Sequence, residues 1–278
     1  MTRSVVRVCA IAVAMVVAAA PFLAAAELKS ATVAAFDRYV RATEARMSPE
    51  LQDESRFLHV DGLPEAERRH HAAELAAGRL VIERLQSRED GKEIDVPDGL
   101  IHHWVGVIFV PRGTAAAAVA LLQDYNRHAD IFKPAIDRSR VLEHDGDRYR
   151  VFMRFFMKKV VSVTIDSEHE ARFTRASPSR AYSRVVSTRV QEVEHAGTPQ
   201  EHQLPIGNDG GYLWRINSYW RFLERDGGVY VQCESITLSR DIPFGLHWIV
   251  GPFVTSIPRE SLTFTLETVR RVLAADAK

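Results

Sequence analysis

From residue 100 onward apolar and polar residues alternate with period two, the signature of half-buried strands. The stretch "LIHHWVGVIFVP" (100–111) reads as one strand, and segments near 138–143, 148–157, 160–173, 181–194, 211–224 and 229–240 read as six more, each bounded by turn residues. "RLVIERL" (79–85) predicts a further strand ahead of them. Helical spacing replaces this pattern in four places. Val33, Phe36 and Val40 mark a helix over Leu28–Met47, a charged, alanine-rich helix covers Pro64–Ala77, and a third runs from about Thr114 to Tyr125. At the C-terminus Leu262, Leu266, Val269 and Leu273 share one helical face, with Pro258 placed as its opener. The order from residue 100 is therefore strand, helical segment, six strands and a long helix. This is an α+β chain with about seven strands ahead of a long C-terminal helix.

Period two also proposes which face points inward. Tyr149, Val151, Met153 and Phe155 share one side of their strand, while Arg150 and Arg154 mark the other. Asp226-Gly227 is a two-residue hairpin turn, which sets Trp220 opposite Cys233 and Phe222 opposite Val231. The inward set is then Trp214, Ile216, Trp220, Phe222, Val231 and Cys233, with Arg215, Asn217, Tyr219, Arg221, Gln232 and Glu234 facing out. A change of one residue in the turn would exchange the two sets and bring Arg215, Tyr219 and Glu234 inside.

The element order resembles the START-like superfamily, which includes lipid-transfer START domains and polyketide cyclases. The likeness is carried by "HHWVGVIFVP", "DYNRHADIFKPAIDRSRVLEHDGDRYRVFMRFF", "YWRFLERDGGVYVQCESITLSRDIP" and "PRESLTFTLETVRRVL". It implies a helix-grip fold over about residues 100–276, in which a curved antiparallel sheet of about seven strands wraps the long C-terminal helix around a cavity. It also implies a hydrophobic small molecule or lipid as ligand, against a wall that includes Leu262 and Leu266. Residues 27–99 form an N-terminal helical extension with one strand, and residues 100–278 the ligand-binding domain. A third reading makes the extension the docking site of a protein partner.

One stretch stands apart. Between Asp241 and Arg259 no residue carries a charge except a protonated His247, while Phe244, Leu246, Trp248, Ile249, Val250 and Phe253 crowd among three prolines and two glycines. Those breakers predict an irregular loop. At the mouth of a cavity such a loop would touch ligand through Phe244, Trp248 and Phe253 and make transient membrane contact through 242–257. A packed plug explains the same residues.

Residues 1–26 read as a secretory signal: Arg3 and Arg7, an apolar run from Val8 to Ala20, then Ala24-Ala25-Ala26 as a cleavage site. The expected location is the periplasm or the exterior, with a retained anchor as the alternative. Removing the signal takes two of 36 basic residues and none of 36 acidic ones, so the remaining charge is about −2. That balance offers nothing for nucleic acid. Cys233 is the one cysteine left, so no internal disulfide can form.

Catalytic signals are sparse. His70 and Glu74 lack the second histidine of a zinc motif, His102 and His103 point to opposite strand faces, and Cys233 has no base beside it in sequence. No nucleophile elbow, phosphate-binding glycine loop or CxxC is present, so no cofactor or metal is expected and no catalytic residue is named. An enzyme on the same fold, cyclase- or hydrolase-like, would draw on Tyr219, on His128 with Asp124 and Tyr125, or on an Arg/Glu pair in the cavity.

Overall fold

The computed structural model describes residues 26–158, 162–242 and 247–276; for 247–255 it describes the backbone alone. The signal-like segment lies outside this range apart from Ala26. Eight strands form one antiparallel path: β1 (Val81–Arg84), β2 (Gly99–Pro111), β3 (Ile136–Asp145), β4 (Arg148–Lys158), β5 (Ser162–Ser177), β6 (Arg180–Glu194), β7 (Arg215–Arg225) and β8 (Gly228–Arg240). Their spatial order is β1-β2-β8-β7-β6-β5-β4-β3, and the short strand His202–Gln203 pairs with β6 as a ninth. Neighbours from β3 to β8 are joined in sequence, which keeps the pairing local, and β2 closes the other side of β8.

The β7–β8 hairpin has the expected register. Trp220 pairs with Cys233 and Phe222 with Val231, and both turn residues have positive φ, 58° at Asp226 and 74° at Gly227, as a type I′ turn requires.

Helices α1 (Ser30–Gln52), α2 (Glu65–Ala76), α3 (Ala115–Gln123), α4 (His128–Ile131) and α5 (His247–Asp276) fall where the helical pattern placed the long ones. Thr114 caps α3, its hydroxyl accepting the Ala117 amide at 3.1 Å. The start of α5 differs from expectation. Pro258 does not open this helix, and the charge-free stretch is not an irregular loop from His247 onward, because the helix runs through Gly251, Pro252 and Pro258. Each proline forfeits one backbone hydrogen bond, and the helix satisfies the groups of the residues between them internally.

The two faces of the sheet are covered by different ends of the chain. On the inner face α5 lies along β2. Leu266 and Leu262 rest so closely over Gly106 that an added Cβ there would come within 2.4 Å of a Leu266 methyl. On the outer face Phe36, Tyr39, Val40 and Met47 of α1 pack against Trp214, Tyr219, Ile236 and Leu238, while Phe57, Leu58 and Leu75 pack against Val107, Leu223 and Tyr230. The extension therefore forms a second layer over the sheet.

Candidate ligand-binding site

Directly opposed residues on paired strands share a face, so the register defines rows across the inner side. One row runs Gly106, Cys233, Trp220, Ser183, Phe173. The next runs Trp104, Ser235, Ser218, Val185, Ala171, Tyr149. Beyond it His102 pairs with Thr237, Thr237 with Ile216, Ser187 with His169, and His169 with Val151. The first row lies beneath α5 and α3 and is buried. In the outer two rows Trp104, Ser235, Ser218, Thr237, Ile216 and Ser187 are partly exposed, as is Phe155.

Nine of the expected wall residues meet here. Tyr149, Val151, Met153, Phe155, Trp220, Phe222, Val231, Leu262 and Leu266 belong to one cluster, the indole of Trp220 parallel to the Phe222 ring with centroids 6.4 Å apart. Trp214 does not join them. It precedes the first residue of β7, so strand alternation does not govern it, and it sits in the outer-face cluster with its indole N–H on Asp209 Oδ1 at 3.0 Å. Phe244 and the side chains of Trp248 and Phe253 lie outside the described residues.

The sequence reading missed the hydroxyls and histidines of the outer rows. Alternation continued past Cys233 reaches Ser235, Thr237 and Ser239, a readable stripe, but an expectation of an apolar wall stopped the count at the cysteine. On β5, His169 is fully enclosed, with Nε2 2.8 Å from Ser167 Oγ, and Ser167 in turn donates to the Met153 carbonyl at 3.0 Å. The serine's proton being spent on that carbonyl, it accepts from the imidazole, which leaves His169 a donor rather than a base toward this hydroxyl. His102 Nε2 lies 3.1 Å from Ser239 Oγ.

Electrostatics divide the two faces. Burial lowers the pKa of His102 and of His169 to about 4, in His102 with help from Arg84. It lowers His128 to about 4 as well, against opposing backbone hydrogen bonds at Leu121 and Leu122 and the charge of Asp124. Glu192, opposite Ile165, is raised to about 7 by burial and by Asp209, against the pull of the Tyr212, Gly210 and Gly211 amides. Burial also pushes the Cys233 thiol up. These groups are thus driven toward their neutral forms.

The outer face does the opposite. Glu234, whose side chain is 0% exposed, accepts from His103 Nε2 at 2.6 Å and pairs with Arg46. Burial pushes its carboxyl up, but His103 and Arg46 outweigh that and hold it below its ordinary value. Arg221 reaches Glu50 at 2.7 Å and the Phe57 carbonyl at 2.7 Å, and the Tyr39 hydroxyl bonds His103 Nδ1 at 2.9 Å. Arg221 and Glu234, expected on a solvated face, are buried under α1 because Glu50 and Arg46 supply their counter-charges, and Gln232, buried beside them, accepts the His59 amide at 2.7 Å. Tyr219 is here too, bonded to Glu44 at 2.8 Å, and so is not an inner-face acid. Arg215 opposes Leu238 on this same face, which excludes the alternative register. His70 is exposed on α2, and Glu74 pairs with Arg79.

Two clefts accompany these faces among the described residues. One of about 160 Å³ lies at the α3 end of the inner cluster, beside Ala115, Val119, Phe173 and Ala181, with Asp147, Arg175 and Arg180 also in its wall. The larger, about 630 Å³, is at the sheet edge near α1, beside Tyr39, Arg84, Glu93, Ile94 and Leu100. Both clefts have charged residues in their walls, a poor match to a hydrophobic ligand, so the partly exposed rows of the inner face, with Trp104, Ile216 and Phe155, remain the better site.

No protein-family profile matches the sequence, and no curated protein matches it. Solved structures similar to it include the STAR-related lipid transfer protein from Xanthomonas axonopodis, at 16% identity, covering 69% of this chain and 98% of that one with a TM-score of 0.45. Human STARD10 is 9% identical, covering 74% of this chain and 80% of that one with a TM-score of 0.43. The Zhui aromatase/cyclase from Streptomyces sp. R1128 is 12% identical, covering 64% and 94% with a TM-score of 0.40. Likeness at this level carries nothing about ligand or activity. The chain's own topology, a strand, a short helical segment, six antiparallel strands and a final helix laid across the sheet, is the helix-grip, START-like fold.

Proposed function

We propose that this protein binds a lipid or other hydrophobic small molecule against the inner face of the sheet, for storage or transfer, and that it does so outside the cytoplasm after export. The observation that carries the reading is the inner face itself. Its buried part is mainly apolar, with His102, His169 and Ser183 as its polar members, while the rows of Trp104, Ser235, Ser218, Thr237 and Phe155 are left partly exposed. Burying a hydrocarbon there gains about 25 cal/mol per Å² before ordering costs. Export rests on the pattern of residues 1–26. Transient membrane contact rests on the charge-free composition of 242–257, and a protein partner for the extension on its helices alone.

An enzyme on this fold is the second reading. His128 is the observation in its favour, since its Nε2 is buried without a hydrogen-bond partner among the described residues. A base with a pKa of about 4 is weak, however, and the Ser167–His169 pair has its proton arrangement reversed for nucleophile activation. The test is native mass spectrometry of protein purified from its own host. The expected result is a mass exceeding the chain by one extractable hydrophobic molecule. A chain mass alone, together with no binding of any hydrophobic probe, contradicts the proposal.

A further inference from the structure

The reading of the inner face as a ligand site can be taken one step further, to the kind of head group it accepts. We infer that the ligand is an uncharged hydrophobic molecule bearing a hydroxyl or carbonyl oxygen, and not an anionic phospholipid or a fatty carboxylate. The inference rests on the proposed binding of a hydrophobic molecule to this face.

Three observations lead to it. The first is the distribution of cations. Among the described residues, Lys and Arg at inner-facing register positions are confined to Arg84 on the edge strand β1 and Arg175 at the opposite rim, both exposed. Arg154, Arg172, Arg184, Arg189, Arg215 and Arg221 all face outward, and four of them meet carboxylates there: Arg154 with Asp166 at 2.6 Å, Arg184 with Glu44 at 2.7 Å, Arg221 with Glu50 at 2.7 Å and Arg189 with Glu168 at 3.7 Å. Arg175 and Arg180 line the cleft at the α3 end, where Arg180 Nε and Nη1 are buried without a hydrogen-bond partner among the described residues. A phosphate or carboxylate brought into the interior of the rows of Trp104 and His102, however, would find no counter-ion, and an unpaired buried charge is strongly disfavoured.

The second is the set of acids. Glu192 and Glu224 stand at inner register positions, and both are already engaged by backbone amides. Glu192 takes Gly210 at 3.0 Å and Tyr212 at 2.9 Å, and Glu224 takes Ala115 at 2.7 Å. Neither is free to hold a cationic head group.

The third is what does remain to recognise a ligand. Ser183 Oγ is buried between Trp220 and Phe173 in its row and has no hydrogen-bond partner among the described residues. Buried hydroxyls are normally paired, so an unpaired one beside an apolar wall marks a place where a ligand atom or water completes it. Ser218, Ser235 and Thr237 add neutral hydroxyls in the adjoining rows, each able to donate or accept. With His102 and His169 uncharged, this array suits a neutral oxygen and offers little to an anion.

The experiment uses the purified full chain and three probes of equal hydrocarbon length, a primary alcohol, a carboxylate and an alkyl phosphate, titrated at pH 7.5 with tryptophan fluorescence as readout. The alcohol should bind at least about tenfold more tightly than either anion, and Ser183→Ala should weaken the alcohol roughly two- to tenfold, as loss of one hydrogen bond does. An anion that binds as tightly as the alcohol overturns the inference and leaves the proposed function standing. An alcohol affinity unchanged in Ser183→Ala overturns the role of that hydroxyl. Failure of all three probes overturns both readings together.

Discussion

At the scale of single residues, size and charge each decide a position that pattern alone left ambiguous. Gly106 is the clearest case of size. Its place in a strand otherwise rich in valine and isoleucine is explained by the helix above it, which leaves no room for a methyl group. Gly106→Ala should lower stability by about 1–3 kcal/mol through overpacking, measured as a drop in the urea midpoint at constant slope. Unchanged stability would mean that α5 does not rest on β2 as described. Glu192 is the clearest case of charge. Its folded pKa of about 7 lies above its ordinary 4.5, so the folded chain holds a proton that the unfolded chain releases between those values. The associated stability is fully present below about pH 4.5 and is lost as pH rises through 7, a contribution of about 1–3 kcal/mol. Carboxyl carbon NMR should find this side chain titrating near neutrality, with the Gly210 and Tyr212 amides following it; an apparent pKa below 5 contradicts the buried placement.

At the scale of elements, the strands were legible and the role of the extension was not. The existence and order of the strands, the I′ turn and the inward set from Trp220 to Cys233 follow from local alternation and a two-residue loop, whereas the start of β7, read near residue 211, lies at Arg215 and takes Trp214 out of the inward set. The partners of the outer face lie far away in sequence: Arg221 meets Glu50 across 171 residues, and Arg46 meets Glu234 across 188. Period two can say only that these residues share a face. A signal was nevertheless available on α1, where Tyr39, Thr43, Arg46 and Glu50 recur at helical spacing and form a polar stripe aimed at the sheet. The start of α5 was hidden for the opposite reason, since the proline rule is strong locally and was overridden. The buried pairing predicts an asymmetry between two arginines. Arg221→Ala should cost about 2–3 kcal/mol because it leaves the Phe57 carbonyl without its buried partner and Glu50 with Arg46 alone. Arg184→Ala, which breaks a half-exposed pair with Glu44, should cost less than about 1 kcal/mol. Equal and small losses in urea titrations would remove the ionic clamp from the account.

At the scale of the whole molecule, one sheet keeps two chemically distinct environments apart. Its outer side is an ionic layer sealed by α1 and the turns that follow it, and its inner side is a neutral layer bordered by α3 and α5. Concentrating the charges under α1 lets the inner side stay largely uncharged without leaving arginines and glutamates unpaired. The central claim, that ligand binds on the inner side, can be tested directly with methionine methyl groups. Met153 projects into the inner cluster and Met47 into the outer one, so the two report on opposite faces of the same sheet. In a spectrum of methyl-labelled protein titrated with a long-chain alcohol, the Met153 resonance should shift saturably while Met47 stays in place. A shift confined to Met47, or no shift of Met153 at saturating probe, would contradict it.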